Sequence, residues 1–465
     1  MLFRLFCCFC CCLPLSLFGQ GYTVIEGKIA IPAGNEAGVT VINDLLRHDK
    51  TIFTTPVSYD GTFKLAFKPD QPMLVRFEHM FENMLIYVSP GDRIKLSFEA
   101  ESMWKTMRFE GDGANNNNYM VAYYNKFNKE VDQTYINLEA EGMTTADFTR
   151  YADSIKTTKM QFYEDYKRTR PFTGDFGEYA KGDILYNWAY DKLRFAATQN
   201  WETGNAYYGF MNQITVQNDK LIASATYTPF LQTYFDYLYQ QKRLQDGAKI
   251  GTAVAEKYQF IKSKLSGNLQ HYTAARMLIN ACNTEDIHDI EPVYNQFQLI
   301  NPYPAYDQVL GEKFRIAKKF APGSPAPEFM LFDPDGNAVF LSDFRGKVVY
   351  MDVWASWCNP CLQQMKYTKE LEATLKDEDV VFLYVSLDTN EEAWKDMIKK
   401  REIKGIHVRT AGADSEMAKD YNVMGVPVYF FIDKNGNFAG KPPLPSAREA
   451  FLRKVETLVS ATYKE

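Results

Sequence analysis

Val348-Val-Tyr-Met-Asp-Val-Trp-Ala-Ser-Trp-Cys358-Asn-Pro-Cys361 reads as a buried strand that runs into a helix opening on a Cys-x-x-Cys pair. Val348, Val349, Tyr350, Met351, Val353 and Trp354 make an apolar, β-rich run, the pattern of a strand covered on both faces. Beyond Cys361, Leu362, Met365, Leu371 and Leu375 recur at helical intervals, so Cys358 falls at a helix start. Unpaired backbone N–H groups and the helix dipole stabilise an anion there, which lowers the pKa of a thiol at that position. Cys361 lies one turn further in, on the same face and within bonding reach of Cys358.

Three plainer readings of the pair compete with redox chemistry. A structural disulfide between residues three apart closes almost no chain and stabilises little. A zinc half-site needs a second Cys pair or a His-x-x-His, and none follows. Two inert thiols belong in a core rather than at a helix start. Asp352 favours the redox reading, because a carboxylate inside an apolar strand is costly without a task or partner. Desolvation raises its pKa, which suits a proton acceptor for the deeper thiol. Downstream, Gly425-Val-Pro427-Val-Tyr-Phe-Phe-Ile-Asp-Lys-Asn-Gly reads as loop, strand and turn, with proline at a strand start where a sheet accepts it.

Trp357-Cys-Asn-Pro-Cys361, the buried Asp352 and Val426-Pro427 together resemble the thioredoxin superfamily. Gly323-Ser-Pro-Ala-Pro-Glu-Phe followed by Leu341-Ser-Asp-Phe-Arg-Gly-Lys-Val-Val narrows the resemblance to TlpA/ResA-like thiol-disulfide oxidoreductases of the bacterial envelope. It covers residues 321–465 and implies an α/β thioredoxin-like fold with a cis peptide before Pro427, packed against a redox-active Cys358–Cys361 disulfide. It further implies that Cys358 attacks a client disulfide, Cys361 resolves the mixed disulfide, and Asp352 moves the proton at Cys361. Trp357, Val426 and Pro427 would form the contact rim, with the Val426 backbone pairing a client as an added strand. Plain thioredoxins often carry a Lys facing the buried acid from the neighbouring strand, and Val380–Leu387 has none.

Asn359-Pro360, with the resemblance, leans towards a reductase of disulfide-containing envelope proteins, fed by a membrane electron-donor thiol protein. A disulfide-forming oxidase or isomerase is the alternative direction. A peroxidase is suggested by Ala326-Pro-Glu-Phe and the Leu-Ser-Asp-Phe-Arg-Gly-Lys run, which resemble peroxiredoxins. That family places Pro and Thr or Ser upstream of its reactive Cys, where this chain has Met351 and Ala355. A client-binding protein with a secondary redox module is a further class.

The rest of the chain is read around this module. Its 465 residues suggest roughly two to four domains. Residues 1–20, with Arg4 ahead of an apolar Leu5–Leu17 stretch too short to span a bilayer comfortably, read as a secretory signal peptide, hence an exported, envelope or periplasmic protein. Five of the eight cysteines lie in that segment; Cys282 reads as a small buried helix residue and Cys358 and Cys361 are kept for chemistry. A net charge of −6 with no basic run argues against nucleic acid as a partner. No metal-ligand cluster or phosphate loop is visible, so neither metal nor cofactor is expected, and no feature sets an oligomeric state.

Residues 21–112 alternate as β: Phe63, Leu65 and Phe67 against Lys64 and Lys68, and Arg93–Glu99 likewise, with turns at Asp60-Gly61 and Pro90-Gly-Asp92. A small antiparallel sandwich follows. Asn115–Asn118 reads as a boundary, and residues 113–320 as helical. Thr144 reads as a helix start, and Thr228-Pro229 as an N-cap with first-turn proline. Residues 321–465 complete the division as the thioredoxin-like domain.

Overall fold

A computed structural model of the chain describes residues 21–32, 34–44, 49–129, 133–222, 224–247 and 251–461. The expected signal peptide lies outside the described residues. Contacts divide the chain into two compact units. One holds the described residues up to Ala281 with Asp289–Leu310, the other Cys282–His288 with the described residues from Gly311 on.

The first unit begins with eight strands: β1 (Thr23–Ala30), β2 (Glu36–Asp44), β3 (Asp49–Pro56), β4 (Thr62–Phe67), β5 (Met73–His79), β6 (Glu82–Val88), β7 (Arg93–Glu99) and β8 (Arg108–Gly111). They form two four-stranded sheets, ordered β4-β1-β7-β8 and β3-β2-β5-β6. Period-two alternation is strict in β7, whose Ile94, Leu96 and Phe98 are buried between exposed neighbours. The inner faces share one core, with Phe63 of β4 stacked on Phe77 of β5 at 5.6 Å. The sandwich is not wholly antiparallel, because β1 and β7 pair in parallel from Val24–Arg93 to Ala30–Glu99. Alternation reports which face is dry and is blind to strand direction, so the expectation erred there.

The Asn run read as a boundary also does structural work. It opens the helix Ala114–Phe127, and its amides bind the strands. Asn117, fully buried, accepts from Tyr87 N at 2.7 Å and donates to Tyr87 O at 2.8 Å. Asn118 accepts from Phe109 N at 3.0 Å and donates to Phe109 O at 2.8 Å. Tyr87 and Phe109 lie on β6 and β8, the edge strands of the two sheets, so each amide pairs edge backbone groups as another strand would. The sandwich core runs on into helical residues such as Tyr119, Tyr163 and Phe176.

The helical part contains Thr145–Thr169, capped by the Thr144 side chain accepting from Asp147 N, and Phe176–Thr198. The helix expected to begin at Thr228 is Tyr227–Asp246, preceded by Thr226. Thr226 has its hydroxyl committed to Asp183 at 2.9 Å instead of to a cap. Pro229 sits in the first turn, where its missing N–H costs nothing.

The second unit holds a six-stranded sheet, ordered β10-β9-β13-β12-β11-β14, from β9 (Met330–Phe332), β10 (Ala338–Phe340), β11 (Val348–Trp354), β12 (Val380–Ser386), β13 (Ile406–Arg409) and β14 (Val428–Ile432). β11 pairs in parallel with β12 and antiparallel with β14, and all seven of its residues are buried. Val349, Met351 and Val353 face one core with Val408 and Tyr421. Val348, Tyr350 and Trp354 face another, shared with the helices Asn359–Thr374 and Arg448–Val459. The chain is thus multidomain, with a sandwich-like all-β part, a helical middle region and a thioredoxin-like α/β part.

Candidate active site

β11 delivers the chain to the site. Ala355-Ser-Trp357 leads to Cys358, the N-cap of the helix Asn359–Thr374, with Pro360 in its first turn. Cys358 and Cys361 are joined as a disulfide with Cα atoms 5.3 Å apart, and Cys361 N donates to Cys358 Sγ at 3.2 Å. Cys358 keeps a sliver of exposure while Cys361 has none. Cys358 is thus the less buried of the pair, and one helix-start N–H, that of Cys361, already aims at its sulfur.

Trp357 stands at the rim, 68% exposed, with Met424 exposed nearby in sequence to Val426 and Pro427. Val426 and Pro427 are half-buried, and the peptide between them is cis. The ladder of β14 with β11 begins only at Val428, after this loop.

Asp352 lies at the centre of β11, on the same side as Tyr350 and Trp354 by alternation, the face covered by the Cys-x-x-Cys helix. It is fully buried, and neither carboxylate oxygen has a hydrogen-bond partner. Its strand neighbours in register are Tyr384 on β12 and Tyr429 on β14. Among the described residues no ammonium relieves the charge, and burial alone pushes the carboxyl up to about 8.

One residue that sequence reasoning missed organises the approach to Cys358. Asp388, buried just beyond β12, accepts from Ser356 N at 2.8 Å, Ser356 Oγ at 2.7 Å and Ser386 Oγ at 2.7 Å. It pins the turn two residues before the outer cysteine. The signal was present, since a carboxylate directly following an apolar strand is as conspicuous as Asp352, but its partner lies 32 residues away.

The Redoxin family model matches residues 321–446. Thiol-disulfide oxidoreductase ResA of Bacillus thuringiensis subsp. konkukian is 33% identical over 123 residues, which span 26% of this chain and 70% of that protein. The chain belongs to the ResA thiol-disulfide oxidoreductase family. ResA of Geobacillus kaustophilus is 35% identical over 135 residues, 29% of this chain and 74% of its own. Among solved structures, the thioredoxin domain of a thiol-disulfide oxidoreductase from Bacteroides vulgatus is 28% identical, covering 30% of this chain and 99% of that one at a TM-score of 0.28. As a ResA-family protein the chain is an oxidoreductase of thiols and disulfides, and its cysteine pair sits in the matched stretch. Among the described residues no helix is long and apolar enough to cross a membrane.

Proposed function

We propose that the protein reduces disulfides of envelope proteins by dithiol exchange. Reduced Cys358 attacks a client disulfide and forms a mixed disulfide. Cys361 gives its proton to the Asp352 carboxylate, then attacks Cys358 Sγ and releases the client thiol. A membrane thiol protein returns two electrons to the resulting Cys358–Cys361 disulfide. Trp357, Val426 and Pro427 form the rim that receives the client chain, with Val426 offering backbone groups to an extended segment. The division at 20, 112 and 320, with export directed by residues 1–20, belongs to the same proposal.

The observation that carries this reading is the asymmetry of the pair: one cysteine with a sliver of exposure at a helix start, the other sealed below it on the face that also holds a buried carboxyl. The test is the Cys358–Cys361 redox equilibrium against glutathione, with Cys361→Ser used to trap clients on Cys358. A potential near about −270 mV supports a reductase, whereas one near about −120 mV makes the protein an oxidant that inserts disulfides.

A further inference from the structure

The site contains polar atoms that the exchange steps leave unused. Along the Cys-x-x-Cys helix, Cys361, Met365, Thr368 and Glu372 recur at helical steps and share one face, the first three buried against the sheet and Glu372 half-buried at the end of the row. On the sheet side, Tyr384 and Tyr429 flank Asp352 in register. Glu372 and Tyr384 close on one spot of backbone: a Cβ on Gly405 would lie 2.9 Å from Glu372 Oε1 and 2.8 Å from Tyr384 Cε2.

This layer gathers several buried polar groups that lack a regular hydrogen bond. The Tyr429 hydroxyl and both Asp352 oxygens are buried without a hydrogen-bond partner, while the Tyr350 hydroxyl has only Thr368 and the Tyr384 hydroxyl only Glu372 within reach, neither in regular hydrogen-bond alignment. Each such orphan costs about 1–3 kcal/mol, so their concentration in one place calls for a role. Tyr384 links the two acids: the charges of both Glu372 and Asp352 act on its hydroxyl, and it lies within reach of the Glu372 carboxylate without the alignment of a regular hydrogen bond.

We propose that Tyr384 and Glu372 form a proton relay that carries the proton of Cys361 from Asp352 to solvent. This rests on Asp352 being the acceptor of that proton. Cys361 Sγ–H gives H⁺ to Asp352, and the thiolate forms the Cys358–Cys361 bond as the Cys358–client bond breaks. The client sulfur leaves with the electron pair and takes a proton from water, so the protein loses two electrons and the client gains two. Asp352 then passes its proton to the Tyr384 oxygen as Tyr384 passes its own to Glu372, which releases it to water. Glu372 touches neither client nor cysteine, and it acts only through Tyr384.

The acidities suit such a transfer. Burial pushes Glu372 up to about 7, opposed by Tyr384, Lys404 and Lys369, against about 8 for Asp352. Near-matched donors and acceptors exchange protons without a steep step. Beyond these groups the layer is faced by His407 of β13, stacked 5.0 Å from Tyr384, its Nε2 bonded to the Ile403 and Lys404 carbonyls and its pKa lowered by burial.

The test separates the two halves of the exchange in the full chain, with oxidised glutathione as the disulfide. The attack of Cys358 is timed in a Cys361→Ala background, and resolution by Cys361 in the dithiol protein from about pH 6 to about pH 9. Glu372→Gln and Tyr384→Phe are each expected to slow resolution about tenfold and to flatten its pH profile, while the attack rate stays as it was. Glu372→Asp is expected to restore part of the rate. Tyr384→Phe removes one oxygen that makes no regular hydrogen bond, so it keeps the test open if Glu372→Gln disturbs folding. If Asp352→Asn slows resolution but Glu372→Gln and Tyr384→Phe keep the parent rate and profile, the relay is wrong and the role of Asp352 stands. If Asp352→Asn also leaves resolution unchanged, the reading of Asp352 falls and the relay with it.

Discussion

Asn117 and Asp352 are both fully buried polar side chains, one in each compact unit, and they are treated in opposite ways. Asn117 completes a backbone pair on an edge strand and has its donors and acceptor engaged with Tyr87 and Gly113. Asp352 sits in the central strand with neither oxygen bonded. A satisfied buried amide strengthens a joint, whereas an orphaned carboxyl weakens the fold and is retained where it does chemistry. A like contrast separates a strand of each unit. β7 alternates wet and dry and serves as wall, while β11 is dry on both sides and serves as the support of a reactive loop.

The comparison can be broken or sharpened in several ways. The largest effect is expected at the outer sulfur of the pair: Cys358→Ser should abolish reduction of a model disulfide in a coupled assay, and Asn117→Ala should leave that rate intact in protein that remains folded. Retained turnover in Cys358→Ser would move the chemistry away from this site.

Next come the two buried groups themselves. The raised carboxyl of Asp352 has a definite sign. Its folded value, about 8, lies above the ordinary carboxylate value, so folding stability from this group is full in acid and is lost as pH rises towards 8. Asp352→Asn should therefore stabilise the oxidised protein at pH 8, by up to about 5 kcal/mol, and change little near about pH 3. Urea unfolding at both pH values checks this. A loss of stability at pH 8 would mean that the carboxylate has partners after all. Asn117→Ala should do the reverse, costing about 2–4 kcal/mol at every pH, because Tyr87 N–H and C=O lose their partners together.

A smaller effect is expected at Asp388, which resembles Asn117 in being bonded and Asp352 in lying beside the chemistry. Asp388→Ala should cost about 1–3 kcal/mol and loosen the turn at Ser356, seen as faster amide exchange at Ser356 and slower attack by Cys358. The smallest belongs to Cys282, a buried thiol that burial pushes up to about 11. It should react with iodoacetamide at pH 8 far more slowly than reduced Cys358, and Cys282→Ala should leave exchange unaffected.

The local features were legible before any coordinates. Helix and strand periodicity, the Cys-x-x-Cys spacing at a helix start and the carboxylate inside an apolar run are properties of neighbours in sequence, and short-range sterics and the 3.6- and 2-residue periods express them directly. The N-cap at Thr144 was equally local, whereas the start near Thr228 slipped by two residues because Thr226 answers to Asp183.

What only the tertiary structure decided is which distant groups meet. The parallel pairing of β1 with β7, the clasp of Asn117 and Asn118 on two sheet edges, and the hold of Asp388 on Ser356 each join residues 9 to 69 positions apart. The tyrosines set beside Asp352, with Glu372 one layer out, are likewise a product of sheet register and helix packing. Composition says that a buried acid needs an environment. Strand order and register choose it, because hydrogen-bonded pairing fixes neighbours across a sheet that no local pattern names.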